Sequence, residues 1–487
     1  MPRSLATHSG PVTVKRDWRT VHVLGGPGVF LLLLLLPLSS IPYPVRGSLG
    51  LLLWMSWWWI FEPVNLAVTG FLPLVVLAIF NFLPAGRVLP SYADELIMLL
   101  LGANVLSTVW TRWGLDRRIA LVSLIGVGTS TRRQILVWFT VAVFLSAFLP
   151  NTVVAAAMMP IVLATLRFIG IQDLRKSAFG SALLIAVAWG TSVGGSWTPL
   201  GGAPNLLTVK LLQQSVITHE FLFMTWATRM LPMAVAIAAV SFIFMRRAFT
   251  PELDDVGGTR DYFASELRSY GKLTVPEKWG LGFFLAATAL AFTRQFYASL
   301  LPGFTPAYAF LAFAVLCFVI RHEGEPLLKW DYAQQHMVWG LIYLFAGGSA
   351  LGEVLSQTGT AQFVADLLIP LAGGGGFLAV LVFSFMTMVI TQITSNTATI
   401  AIMVPITIST FQSLGMNPVP FVYIVAVAGN CGFMLPSSAG GPAVAAGYGV
   451  NLKTMFARGF WLTVWLWVVI VVVGYVLATY WPGFGIA

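Results

Sequence analysis

Charge is scarce in this chain. Of its 487 residues only 9% are Asp, Glu, Lys or Arg, against 58% hydrophobic. A soluble domain carries about a quarter charged residues, so a water-soluble globule is excluded. Cysteine is scarcer still. Cys317 and Cys431 lie in apolar runs without metal-ligand spacing and read as packing residues. The polar breaks in the apolar runs hold no HExxH and no paired Asp, and the GTSVG at 190–194 has no His or acid within the breaks to activate its serine, which argues against an intramembrane enzyme. Between Lys329 and Lys453 the chain has no Lys or Arg at all. The net charge of +9 is therefore unevenly spread, and it reads as the signature of cytoplasmic loops rather than of nucleic-acid binding.

What the chain has is apolar runs of about 20 residues, the length of a membrane helix and too long for barrel strands. The first follows Arg3, Lys15, Arg16 and Arg19, as a signal peptide would, but no small-residue cleavage site follows, so it reads as an uncleaved span. Eleven spans are predicted, at about 23–38, 48–61, 65–83, 92–113, 182–212, 221–244, 279–292, 306–320, 337–355, 421–449 and 460–480. With a cytoplasmic N-terminus, span four delivers Arg112, Arg117, Arg118, Arg132 and Arg133 to the cytoplasm. The C-terminus then lies outside. Arg46 and Arg87 run against this orientation. The eighteen tryptophans, Trp57-Trp58-Trp59 among them, read as membrane anchors.

Two apolar stretches are broken by small polar residues, FLPNTVV around Asn151 and ITSNTAT around Asn396. With Asn151 laid on Asn396, Thr152 falls on Thr397, Pro160 on Pro405 and Ser146 on Thr391. The first stretch, 135–166, has Arg or Lys on both flanks, so both its ends read as cytoplasmic and its break as the tip of a re-entrant hairpin. The second, 383–410, has uncharged flanks and reads as a hairpin from the other side. Opposed hairpins are the mark of an inverted repeat. Each is followed by a span interrupted by glycine and proline, at 190–205 and 429–442. A Ser-Asn-Thr in a membrane helix is usually interhelical glue; its repetition in paired context points to a binding site. Neither hairpin contains an acid, Arg, Lys or His, so a proton relay is disfavoured. Hydroxyls, amide oxygens and carbonyls suit a hard cation such as sodium, and helix N-termini suit an anion. Glu353 is the one acid well inside a predicted span, with no counterpart in the repeat. Glu62 reads as interfacial.

The set resembles the divalent anion/sodium symporter family of dicarboxylate, citrate and sulfate transporters. TPLGGAPN at 198–205 is similar to that family's TPxGTPPN, FMLPSSAGGPAVAAGYG at 433–449 to its FMLPVATPPNAIVFGYG, and LSTVWTRWGLDRRIAL at 106–121 also fits. The resemblance implies an all-α polytopic inner-membrane protein, an inverted repeat of 11 transmembrane helices with two re-entrant hairpins, working as an elevator-type homodimer. It implies scaffold helices at 1–134 and 279–376, a transport unit at 135–247 and 377–487, and a cytoplasmic connector at 248–278. It also implies symport of a small divalent anion with sodium. Sodium would bind Ser146, Asn151 and the carbonyl of Gly201 in one site, and Thr391, Ser395, Asn396 and the carbonyl of Ser438 in the other. The anion would meet Asn151, Thr152, Gly202, Ala203, Asn396, Thr397, Ala439 and Gly440. The chain departs from the family at Pro150, where a serine is expected, and at Ala439-Gly440 and Gly202-Ala203, where Thr-Pro is expected. Two alternatives stay open: an inorganic-anion transporter for sulfate or arsenite, and a sodium-independent exchanger. A channel is disfavoured by the mobile inverted-repeat site.

Overall fold

Long runs of Leu, Val, Ala and Phe with few polar interruptions fold as helices here because a helix satisfies its backbone groups within one segment, without water. The computed structural model describes residues 18–36, 40–124, 130–171, 173, 174, 176–372 and 376–486. The basic residues Arg3, Lys15, Arg16 and Arg175 used for orientation lie outside this range. Among the described residues six helices are long and apolar enough to cross a membrane, with a seventh if Trp330–His336 and Trp339–Gln357, bent by 64°, form one span. Other predicted spans are shorter helices such as Pro306–Val319 and Val419–Gly429, or are interrupted. The predicted third span, for example, breaks at Gly70 into Leu66–Thr69 and Leu72–Phe80. The predicted connector, 248–278, holds a helix not expected from its mixed charge, Thr259–Ser269.

The two halves repeat one order. Glu95–Trp113 leads into the amphipathic Leu115–Leu124, then into the hairpin Thr131–Ser146 and Asn151–Phe168, and then into a broken helix, Ala178–Gly195 and Ala203–Ser215. Trp339–Gln357, Thr360–Ala372, the hairpin Gly376–Ile393 and Asn396–Ser413, and the broken pair Val419–Gly429 and Gly440–Gly447 follow the same sequence. The broken helices hold the centre. Every residue from Phe179 to Gly195, and from Val419 to Gly429, is buried, as expected of helices apolar all round. The two halves then interlock. The second arm of the first hairpin packs on Gly440–Gly447, and the second arm of the other packs on Ala203–Ser215. Trp189 Nε1 donates to the Phe433 carbonyl at 3.0 Å, tying one broken helix to the other.

The first broken helix stays helical through Gly195, further than the predicted interruption at 190–205. The reason is packing. A Cβ at Gly194 would lie 2.0 Å from the Val143 carbonyl, so glycine lets this helix seat backbone to backbone on Thr131–Ser146. Burial also locks the amphipathic helix Leu115–Leu124 to residues 270–277. Arg118 Nε meets Glu277 at 2.6 Å, and its other nitrogens donate to the carbonyls of Tyr270 and Gly271.

Candidate functional site

Four helix N-termini converge among the described residues: Asn151–Phe168, Ala203–Ser215, Asn396–Ser413 and Gly440–Gly447. Their first residues line one cavity of about 720 Å³. Each open N-terminus presents unpaired N–H groups and roughly half a positive charge. Among the described lining residues there is no Lys, Arg or His, and Glu62 is the single acid. Glu62 thus lies at the cavity, not merely at a membrane edge. The chain turns there through a left-handed residue, φ 45°, which ends Tyr43–Phe61 and brings the acid to the mouth. Such an arrangement can hold an anion by backbone dipoles and neutral donors.

All eight residues expected to face the anion, Asn151, Thr152, Gly202, Ala203, Asn396, Thr397, Ala439 and Gly440, line this cavity. The two Asn-Thr pairs come from opposite hairpins. Gly440 allows their approach, since a Cβ there would lie 2.0 Å from Thr152 Oγ1. Asn396 and Thr397 are buried, while Asn151 and Thr152 are half-buried.

Behind the cavity wall each asparagine sits in a nest of oxygens. One end of the Asn151 amide lies 2.6 Å from Ser146 Oγ, 2.8 Å from the Gly201 carbonyl and 3.1 Å from the Thr191 carbonyl. Oxygen neighbours alone call either for the amide NH2 or for a cation held between the amide oxygen and its neighbours. Thr191 was not anticipated from the sequence. In the second nest Thr391 Oγ1 donates to Asn396 Oδ1 at 2.8 Å and shares its proton with the Gly429 carbonyl at 2.6 Å. Asn396 Nδ2 donates to the Asn430 carbonyl at 3.2 Å. Ser438 lies alongside, because a Cβ on Gly432 would meet both Asn396 Oδ1 and Ser438 Oγ. Ser395 does not point into the nest; its hydroxyl accepts from Ala398 N at 3.2 Å as the helix N-cap.

An amide relay joins the nests. Asn430 Nδ2 donates to Asn205 Oδ1 at 2.9 Å, and Asn205 Nδ2 donates to the carbonyls of Gly195 and Thr198 at 2.6 and 2.7 Å. Asn430 Oδ1 is buried without a hydrogen-bond partner. Gln392 braces the second break, donating to the Cys431 carbonyl and accepting from the backbone N–H groups of Phe433 and Met434. These three amides were not picked out by sequence reading. The signal was there, since each is a lone amide beside a break. Glu353 lies outside the site, half-buried and bonded to Gln357 Nε2 at 3.0 Å. Cys317 and Cys431 are buried free thiols, and no His, Cys, Asp or Glu cluster among the described residues could hold a transition metal.

The family model for the sodium:sulfate symporter transmembrane region matches residues 19–486. The chain belongs to this family. It is a multi-pass membrane transporter and not an enzyme. The sodium-dependent dicarboxylate transporter SdcS of Staphylococcus saprophyticus is 31% identical over 478 residues, covering 94% of this chain and 91% of that one. Its Staphylococcus aureus counterpart (strain MRSA252) is 28% identical, with 95% and 92% covered. Among solved structures, the fold is shared with the Alcanivorax borkumensis YdaH transporter, at TM-score 0.54 and 13% identity, covering 91% of this chain and all of that one. It is shared too with Neisseria gonorrhoeae MtrF, at TM-score 0.52 and 13% identity, with 92% and 96% covered.

Within the symporter family this member is lopsided. Pro150 and Ser395 occupy the same N-cap position with nearly the same backbone, φ −54° and ψ 136° against φ −69° and ψ 150°. Only the serine caps its helix. Pro150→Ser therefore fits without strain. The added cap contributes about 1 kcal/mol, and the lost proline rigidity offsets about 0.4–1 kcal/mol of it. Thermal stability without sodium should hardly change, and the sodium concentration for half-maximal stabilisation should stay where it is, because the matching Ser395 hydroxyl turns to its own helix and not into the nest. A several-fold tighter sodium titration would show that a hydroxyl at this position does reach the cation.

Proposed function

We propose that this protein moves a small dicarboxylate such as succinate or malate across the membrane, coupled to sodium, by displacing one unit against a scaffold. The observation that carries the reading is the cavity itself. Four helix N-termini meet there without a basic side chain, flanked by two asparagine-centred oxygen nests. An anion held by neutral donors gains most when a cation binds nearby, because a bound ion is the largest local charge in such a site. That gain is the coupling. The curated relatives named as sodium-dependent dicarboxylate transporters support both ion and substrate class.

In this reading sodium one takes Ser146, Asn151 and the Gly201 carbonyl, with the Thr191 carbonyl added. Sodium two takes Thr391, Asn396 and the Ser438 carbonyl, with Ser395 nearby. The anion lies between the Asn-Thr pairs. The moving unit comprises 135–247 and 377–487, and the scaffold 1–134 and 279–376, in an eleven-span fold that assembles as a homodimer. Interlocking of the two hairpins and two broken helices supports one rigid moving unit. The N-terminus is cytoplasmic and the C-terminus external. Clustering of Lys176, Lys453 and Arg458 around one cavity supports a single basic face. The anion cavity opens beside Glu62 and Val338, at ends of segments that the same charge rule puts inside, so the described state is inward-open.

Proteoliposomes test the proposal directly. An inward sodium gradient should drive labelled succinate uptake well above a potassium gradient, with malate competing. Uptake indifferent to the sodium gradient would leave exchange instead, and competition by sulfate but by no dicarboxylate would make the inorganic anion the substrate.

A further inference from the structure

A second cavity, of about 500 Å³, lies at the basic face, far along the chain from the hairpin tips. It is framed by the start of Ala178–Gly195, the segment after Phe223–Ala248 and the start of Leu452–Tyr480. Lys176, Lys453 and Arg458 line it, with the hydroxyl residues Thr250 and Thr454. No acid is among its described lining residues. Lys176 has an exposed partner, Asp173 at 3.2 Å. Glu252 lies next door, accepting from Ser177 Oγ and from Phe179 N as it caps the first helix; these two acids offset part of the charge, and Lys453 and Arg458 carry the cationic excess of the cavity. The second helix, 29 residues long, begins at the cavity with Asn451 capping Thr454 N at 3.1 Å. Charge asymmetry across a membrane explains basic residues at this end. It does not explain their convergence on one hydroxyl-lined hollow.

The remaining wall is Trp461, 57% exposed, and from it an apolar face runs down the same helix. Trp465, Val468, Val472 and Val476 follow at steps of four, three, four and four, all between 44% and 56% exposed. That spacing is one helical stripe. The cationic hollow thus continues into a surface suited to hydrocarbon, with a tryptophan at the junction, where membrane interfaces place it.

We propose that this cavity binds the phosphate headgroup of an anionic phospholipid, whose acyl chains lie along the Trp461 to Val476 stripe. A soluble phosphate ester shares the headgroup chemistry but has no use for the stripe. Two of the three framing elements belong to the proposed moving unit and the third begins the connector attached to it, so the lipid is a passenger of that unit.

The test uses the full chain in detergent, titrated with phosphatidylglycerol, phosphatidylcholine or glycerol 3-phosphate while thermal unfolding is followed. Phosphatidylglycerol should raise the melting temperature saturably, and the other two should not. Lys453→Gln with Arg458→Gln should weaken the phosphatidylglycerol midpoint about 25-fold, at about five-fold per cation. Lys453→Arg with Arg458→Lys should keep it, which separates charge from misfolding. Arg246→Gln with Arg247→Gln, on the same basic face but outside the cavity, should also keep it. Equal stabilisation by phosphatidylcholine, equal stabilisation by glycerol 3-phosphate, or an equal loss in the Arg246 and Arg247 variant would each overturn the proposal.

Discussion

Asn396→Ala should abolish sodium-driven uptake while leaving a folded protein. Asn396 is 5% exposed and uses both ends of its amide. Its oxygen accepts from Thr391, and its nitrogen reaches the Asn430 backbone, whose side chain continues the relay to Asn205 and the first break. Removing it takes away a proposed sodium ligand and loosens the strut between the nests. Losing a group that merely supports a metal ligand lowers affinity about 10–100-fold, so losing a ligand should cost sodium affinity at least that much. Asn151→Ala should be milder in stability, since Asn151 is half-buried, yet it should also lose sodium stimulation. Two readouts separate function from folding: the sodium titration of thermal unfolding, and uptake per folded molecule. Thr407→Val is a suitable control, because Thr407 only bonds back along its own helix to Met403. If Asn396→Ala kept the parent's sodium midpoint, the second nest would not be a sodium site.

Much of this arrangement was legible before any coordinates. A break such as FLPNTVV or ITSNTAT in hydrocarbon must be satisfied by protein, so both hairpin tips could be placed from polarity alone. The lopsided caps were visible too, because proline lacks the hydroxyl that Ser395 uses. What stayed hidden depends on distant packing. Gly190 and Gly194 read as helix breakers, yet both remain helical because the first hairpin arm presses on them. Glu62 read as an edge residue, since its left-handed turn toward the cavity is a property of the chain reversal and not of its neighbours in sequence. Asn205 and Asn430 are 225 residues apart, and no local pattern announces that their amides meet. The same holds for ion pairs between the proposed units, where the partners lie 74 residues or more apart in the sequence.

Those ion pairs give the second large expectation: Lys210→Glu should drive the proposed moving unit away from its proposed inward-open state. Lys210 Nζ meets Asp94 Oδ2 at 2.7 Å, and Asp94 is held in place because its other oxygen caps the helix Glu95–Trp113 through Ile97 N. Both side chains are largely buried, at 21% and 11% exposure. A second pair lies at the same end, where Arg294 Nε meets Glu220 at 2.8 Å and the guanidinium also donates to the carbonyls of Leu301 and Pro302. In each pair one partner belongs to the proposed moving unit, Lys210 or Glu220, and the other to the proposed scaffold. Displacement must break both. Breaking a buried pair by losing one partner costs about 3–5 kcal/mol, and a carboxylate facing Asp94 adds repulsion, so the balance should swing by more than a hundredfold. The change is readable at Ala443, an exposed residue of the anion cavity. In an Ala443→Cys background, maleimide labelling from the cytoplasmic side should slow at least tenfold when Lys210→Glu is added. Cys317 and Cys431 stay silent because they are buried. Adding Asp94→Lys to Lys210→Glu re-forms a pair of reversed sign and should restore labelling, minus about 1 kcal/mol of stability for the lost cap. If the single variant stays monodisperse and labels at the parent rate, the pair does not cross a moving interface, and the boundary between unit and scaffold must be redrawn at Ala203–Ser215.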